Sequence, residues 1–187
     1  MLSSGPISLS SVSVRRLLVA LTLCCALLVG TTACSSGDDK DATANPTSTA
    51  EKQKFAKARF VANAGLAAGA AYQWVIKPAK DGKFKSGADG RKFTLVKAGL
   101  AGAFAYNRLK AAAKNAEGDP LLSKAIAPLT TGIESLKDLP GKLRKGDGAD
   151  EAAGIFDKVI NSVKGAGNDA GAPVVDKVPS VSQLGKG

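Results

Sequence analysis

The chain of 187 residues contains no histidine, one methionine, one tryptophan and two tyrosines, and aromatics make up only 5 % of it. Without histidine there is no imidazole general base, no histidine-containing zinc site and no histidine pH switch. Cysteine is also scarce. Cys24 and Cys25 lie inside an apolar run, which leaves Cys34 as the lone thiol of everything that follows. One thiol forms no internal disulfide, so the fold must stand on its core. Acidic residues are missing from the first 37 positions, where the only charges are Arg15 and Arg16.

Those absences frame the N-terminus. Arg15 and Arg16 precede an uncharged apolar run over residues 17–30, then come the small residues Thr32 and Ala33, then Cys34. A basic start, a short apolar stretch and a small-residue cleavage site make a secretory signal. The run has 14 residues, short of the roughly 20 that a membrane span requires. Leu28-Val29-Gly30-Thr31-Thr32-Ala33-Cys34 resembles a bacterial lipobox, the signature of prolipoproteins. The resemblance covers residues 1–34 and implies cleavage before Cys34 and a diacylglyceryl group on its sulfur. It also implies a location at the extracytoplasmic face of the cell membrane, held by the acyl anchor. Residues 35–47, rich in Gly, Ser, Asp, Thr, Asn and Pro, contain too few apolar side chains to order themselves and read as a tether. The expected plan is a signal over 1–33, a tether over 34–47, a helical domain over 48–165 and a disordered tail over 166–187.

Charge is uneven. The net charge of +10 falls to +8 once Arg15 and Arg16 leave with the signal. Residues 51–114 hold 14 Lys or Arg against Glu51, Asp81 and Asp89, whereas residues 115–187 hold 9 against 10 acidic residues. A basic half beside a membrane meets anionic lipid or wall polymer, each Lys or Arg near such a surface contributing about 1 kcal/mol. The residues expected to make that contact are Lys52, Lys57, Arg59, Lys77, Lys80, Lys83, Lys85, Arg91 and Lys92. The same charges also serve plain solubility. Export removes the protein from nucleic acid, so nucleic acid is not an expected partner, and the protein partner is unknown.

The periodicity predicts an all-α fold, a small four-helix bundle. Ser48 and Glu51 have the spacing of a capping box, which starts a helix at about Thr49 and carries it to Ile76, just ahead of Lys77-Pro78. On that helix Lys52, Arg59, Asn63, Gln73 and Lys77 occupy a strip about 80° wide, so it is enclosed on most sides. Residues 60–76 also read as a membrane segment by composition, but Asn63 and Gln73 interrupt them. Residues 78–90 form a basic loop with Phe84 exposed. Its glycines imitate a phosphate loop, yet Ala88 stands where the lysine is needed. A second helix follows over residues 91–115. Ala64-Gly65-Leu66-Ala67 recurs as Ala98-Gly99-Leu100-Ala101, 34 residues on. With no third copy this is no repeat array, and it suggests two helices packed through Gly65 and Gly69 against Gly99 and Gly102.

Asp119-Pro120 caps a third helix. Leu122, Ile126, Leu129, Ile133 and Leu136 form its apolar seam, with a bend expected at residues 124–128 because Pro128 removes a hydrogen bond. Pro140-Gly141 is expected to end it. Asp147 to Glu151 lacks the alternating ligands of a calcium loop and reads as carboxylates at a helix start. The fourth helix turns Ile155, Phe156, Val159, Ile160 and Val163 inward and is expected to stop at Gly165. Glu134 and Asp138 read as solvated charges. No catalytic group, cofactor or metal is expected. Tyr72, Trp74, Phe104 and Tyr106 offer a possible pocket for a small apolar ligand between the first two helices. A non-catalytic, lipid-anchored envelope protein is the leading functional expectation, and a carrier of an apolar molecule is the alternative.

Overall fold

The structure, a computed structural model, describes residues 48–186. The lipobox, Cys34 and the tether lie outside the described residues. Within them the chain is an all-α bundle, and no strand occurs among the described residues.

Helix α1 covers residues 49–80 as an α-helix over Thr49–Ala71, a π-turn over Tyr72–Ile76 and a last α-turn over Lys77–Lys80. The Ser48 side chain accepts from the Glu51 amide at 3.2 Å while Glu51 reaches back to the Ser48 amide at 3.1 Å, the reciprocal cap that its spacing predicts. The helix does not stop at Ile76. The Lys77 amide donates five residues back, to Tyr72, and this wider turn gives the Pro78 ring room that an α-turn would deny it. Helix α2 is Arg91–Ala116. It packs along α1, and both bury alanines: Ala64, Ala67, Ala68, Ala70 and Ala71 on one, Ala98, Ala101, Ala105 and Ala112 on the other.

Helix α3 covers residues 120–135. Its Asp119 cap accepts from the amides of Leu121 at 3.1 Å and Leu122 at 2.9 Å. The expected bend is a 3-10 turn over Ala127–Leu129 between Pro120–Ile126 and Thr130–Ser135. Pro140 does not end this helix; it sits in the first turn of a separate short helix, α4, Leu139–Lys145, where an amide would lack an intrahelical partner anyway. Helix α5, Ala149–Asp169, has Asp150 and Glu151 in its first turn. It lies against α1, α3 and α4 and buries Phe156, Ile160 and Val163.

Helix α5 runs past Gly165. Its stop is Gly171, whose φ of 67° is the left-handed conformation that ends helices without side-chain strain. The expected disordered tail is instead a packed strap. Residues 172–180 run without helix to α6, Val181–Leu184, and Ala172, Val174 and Leu184 join the core. The strap lies across the glycines of α1. A Cβ on Gly65 would come within 2.6 Å of the Val175 carbonyl oxygen, and one on Gly69 would overlap the Lys177 carbonyl. The α2 glycines meet other partners: a Cβ on Gly99 would run into Arg144 and Pro140, and one on Gly102 would come within 3.2 Å of Leu143 and Phe156. The two glycine pairs therefore do not face each other.

No helix among the described residues is long and apolar enough to cross a membrane.

Candidate functional site

The basic hairpin comprises α1, the turn over residues 81–90, and α2. Of its nine singled-out cations, four have partners within the chain, Lys57 and Arg91 part-buried and Lys77 and Lys80 on the exposed surface. Lys57 Nζ donates to the Ala170 carbonyl at 2.9 Å and lies 3.7 Å from the buried Asp119 carboxylate. Lys77 donates to Asp81 at 2.6 Å across one helical turn, a hydrogen bond that, with the carboxylate charge, holds the ammonium pKa above its ordinary value. Lys80 lies 3.5 Å from Asp157 on α5. Arg91 donates from Nε to the Phe84 carbonyl at 2.7 Å and from Nη2 to the Gly146 carbonyl at 3.5 Å.

The remaining five, Lys52, Arg59, Lys83, Lys85 and Lys92, are exposed, and their side chains make no ion pair or hydrogen bond among the described residues. Their exposure leaves them accessible to an external anion, with Lys83 lining a cleft that also holds Asp81 and Asp89, and Lys85 one that holds Asp150 and Asp157. The reason lies in sequence: the hairpin supplies three carboxylates for 14 cations, and two of those carboxylates, Asp81 and Asp89, lie in one turn.

Phe84 does not serve as the loop's exposed aromatic. It is 3 % exposed and belongs to the core, pinned by the Arg91 bond to its carbonyl. The exposed aromatic of this end is Phe93, 65 % exposed, with Val96 one turn on at 48 %. Lys97 Nζ lies 4.3 Å from the Phe93 ring centroid and 5.2 Å from that of Trp74. These groups share a cleft of about 290 Å³ with Lys77, Lys83, Asp81 and Asp89. The Trp74 indole nitrogen is buried without a hydrogen-bond partner among the described residues. The sequence reading missed this corner; the signal that could have found it is Phe93 and Lys97 four apart on one helix, with Phe93, Val96 and Leu100 at spacings of three and four.

The four aromatics proposed as a pocket are dispersed. Tyr72 is 47 % exposed, Phe104 is buried, and Trp74 lines the cleft near Phe93. Tyr106 donates its hydroxyl to Glu134 on α3 at 2.9 Å, and Lys110 lies 3.5 Å from the same carboxylate. That hydroxyl bond lowers the Glu134 pKa, while desolvation first and Glu134 second raise that of Tyr106. Residues two apart on a helix leave it in different directions, which is why Tyr72 and Trp74, or Phe104 and Tyr106, do not converge. An apolar groove of about 550 Å³ exists elsewhere, between the C-terminal half of α2 and α3, with Ala113, Ala116, Ile126, Ala127 and Ile133 as walls and Lys110, Lys114, Glu117 and Glu134 among its polar residues.

Among the described residues no group of three or more His, Cys, Asp or Glu is arranged to hold a metal ion. No protein-family model matches this chain, and no curated protein or solved structure is significantly similar to it.

Proposed function

We propose that this protein is a non-catalytic envelope lipoprotein, held at the extracytoplasmic membrane face by an acyl group on Cys34, whose basic hairpin engages an anionic surface. The observation that carries the reading is the division of the hairpin cations. Lys57, Lys77, Lys80 and Arg91 have partners within the chain, whereas Lys52, Arg59, Lys83, Lys85 and Lys92 are exposed and make no ion pair or hydrogen bond among the described residues. Vesicle sedimentation of the mature chain with Cys34→Ser, which carries no acyl group, tests it. Binding should require anionic lipid, weaken as salt rises, and fall when Lys83, Lys85 and Lys92 are changed to Glu. Equal binding to zwitterionic vesicles, or no loss in the triple variant, would oppose it.

The groove of about 550 Å³ between α2 and α3 supports a second reading, a module that carries a small apolar molecule. Native mass spectrometry of the purified protein should then show an added mass that Ala127→Trp removes. A clean apo mass from membranes and medium alike would count against a carrier.

A further inference from the structure

The corner formed by the start of α2 has a chemistry that charge alone does not explain. At 100° per residue, Lys92, Val96, Leu100, Phe93 and Lys97 lie in that order around about 140° of α2, so an apolar stripe is flanked on each side by a lysine. Phe93 and Val96 are exposed, and Leu100 packs its inner part on the core. Lys83 lines the adjoining cleft, and residues 77–97 hold seven Lys or Arg against Asp81 and Asp89. A hydrophilic polyanion would satisfy the lysines and leave a phenyl ring and a valine in water. An anionic bilayer satisfies both, because lysine stems lie along apolar surface while their ammonium groups reach the headgroups.

We propose that the Phe93, Val96 and Leu100 stripe with Lys92, Lys97 and Lys83 is a bilayer-docking face that inserts its apolar side chains at the headgroup boundary of anionic phospholipid. The inference rests on the proposed anionic-surface function and deepens it by choosing lipid over polymer and locating the contact. Insertion places Phe93 and Val96 about 5–10 Å into the interface, with Trp74 beside them.

Trp74 is the protein's single tryptophan and therefore a local probe. The full-length protein is mixed with phosphatidylcholine vesicles, or with vesicles that also contain phosphatidylglycerol, each carrying brominated acyl chains that quench indole on contact. Trp74 emission should be quenched several-fold more strongly by the anionic vesicles, and high salt should reverse the difference. The doubly substituted Phe93→Ser, Val96→Ser protein, with its melting curve as the control for folding, should lose most of the quenching. Equal quenching by both vesicle types, or full quenching in the double variant, would overturn the docking face. In the polymer arm, a soluble polyphosphate that shifts Trp74 emission equally in both proteins, with vesicles giving no quenching, would reassign the corner to a polymer and also overturn it. Salt-sensitive sedimentation with anionic vesicles while Trp74 stays unquenched would sink this face and leave the anionic-surface function standing.

Discussion

The Lys177 amide donates to the Gly65 carbonyl at 2.9 Å, which joins the C-terminal strap to the middle of α1, 112 positions earlier in the chain. The Gly65 carbonyl spares a lone pair for this bond, and the missing side chain admits the strap. Gly69, one turn on, is crossed by the Lys177 carbonyl. Two glycines therefore make a track for a backbone.

Gly65→Ala or Gly69→Ala should push the strap off α1. Overpacking costs about 1–3 kcal/mol, which for a domain of this size lowers Tm by several degrees. Limited proteolysis should gain cuts within residues 172–180. An unchanged melting curve with the strap still protected would mean that the segment does not rest on these glycines.

This strap marks the boundary of what the sequence discloses. Features decided within one helical turn were legible: the Ser48 and Glu51 cap, the Asp119 cap followed by Pro120, the seam from Leu122 to Leu136 and its bend at Ala127–Leu129. Features decided by distant partners were not. Residues 166–186 are rich in glycine and proline and read as unstructured, yet Ala172 and Val174, two apart, sink into the core. Phe84 reads as exposed among lysines, whereas its ring lies in the core of a turn ordered by backbone bonds such as Lys85 N–H to the Gly82 carbonyl and by the Arg91 bond to the Phe84 carbonyl. Pro78 and Pro140 misled for a shared reason: a proline stops a helix only where a wider turn or a first-turn position does not absorb it.

The candidate site divides similarly. Composition located the basic hairpin, because a count of 14 cations against three carboxylates needs no coordinates. It did not separate the cations with partners in the chain from those without one among the described residues. Lys57 and Arg91 were grouped with the surface, and their partners, Ala170 and Gly146, lie far along the chain.

Asp119 is 3 % exposed and caps α3 while Lys57 lies beside it. Asp119→Ala should destabilise by about 0.5–2 kcal/mol, the range for a lost cap, and add the cost of leaving Lys57 with only the Ala170 carbonyl. Asp119→Asn keeps the capping oxygen and should lose less. Chemical denaturation of the two variants checks the order, and an equal loss in both would assign the effect to charge rather than to the cap.

The Tyr106 hydroxyl holds the Glu134 carboxyl below its ordinary pKa, followed in effect by Lys110. A depressed folded-state value means that the bond's contribution is present above the unfolded carboxylate pKa and is lost as pH falls through the folded value. Because Glu134 is exposed, the effect on overall stability is small, and NMR of its carboxyl carbon is the suitable readout. Tyr106→Phe should move the Glu134 midpoint upward. A midpoint that stays put would show that Tyr106 does not set it.

The acyl anchor at Cys34 is the central claim, and the mass of the mature N-terminal peptide tests it most directly. Protein extracted from the membrane fraction should yield a peptide that begins at Cys34 and carries the added mass of a diacylglyceryl group. A peptide that begins elsewhere, or an unmodified Cys34 thiol, would contradict the account.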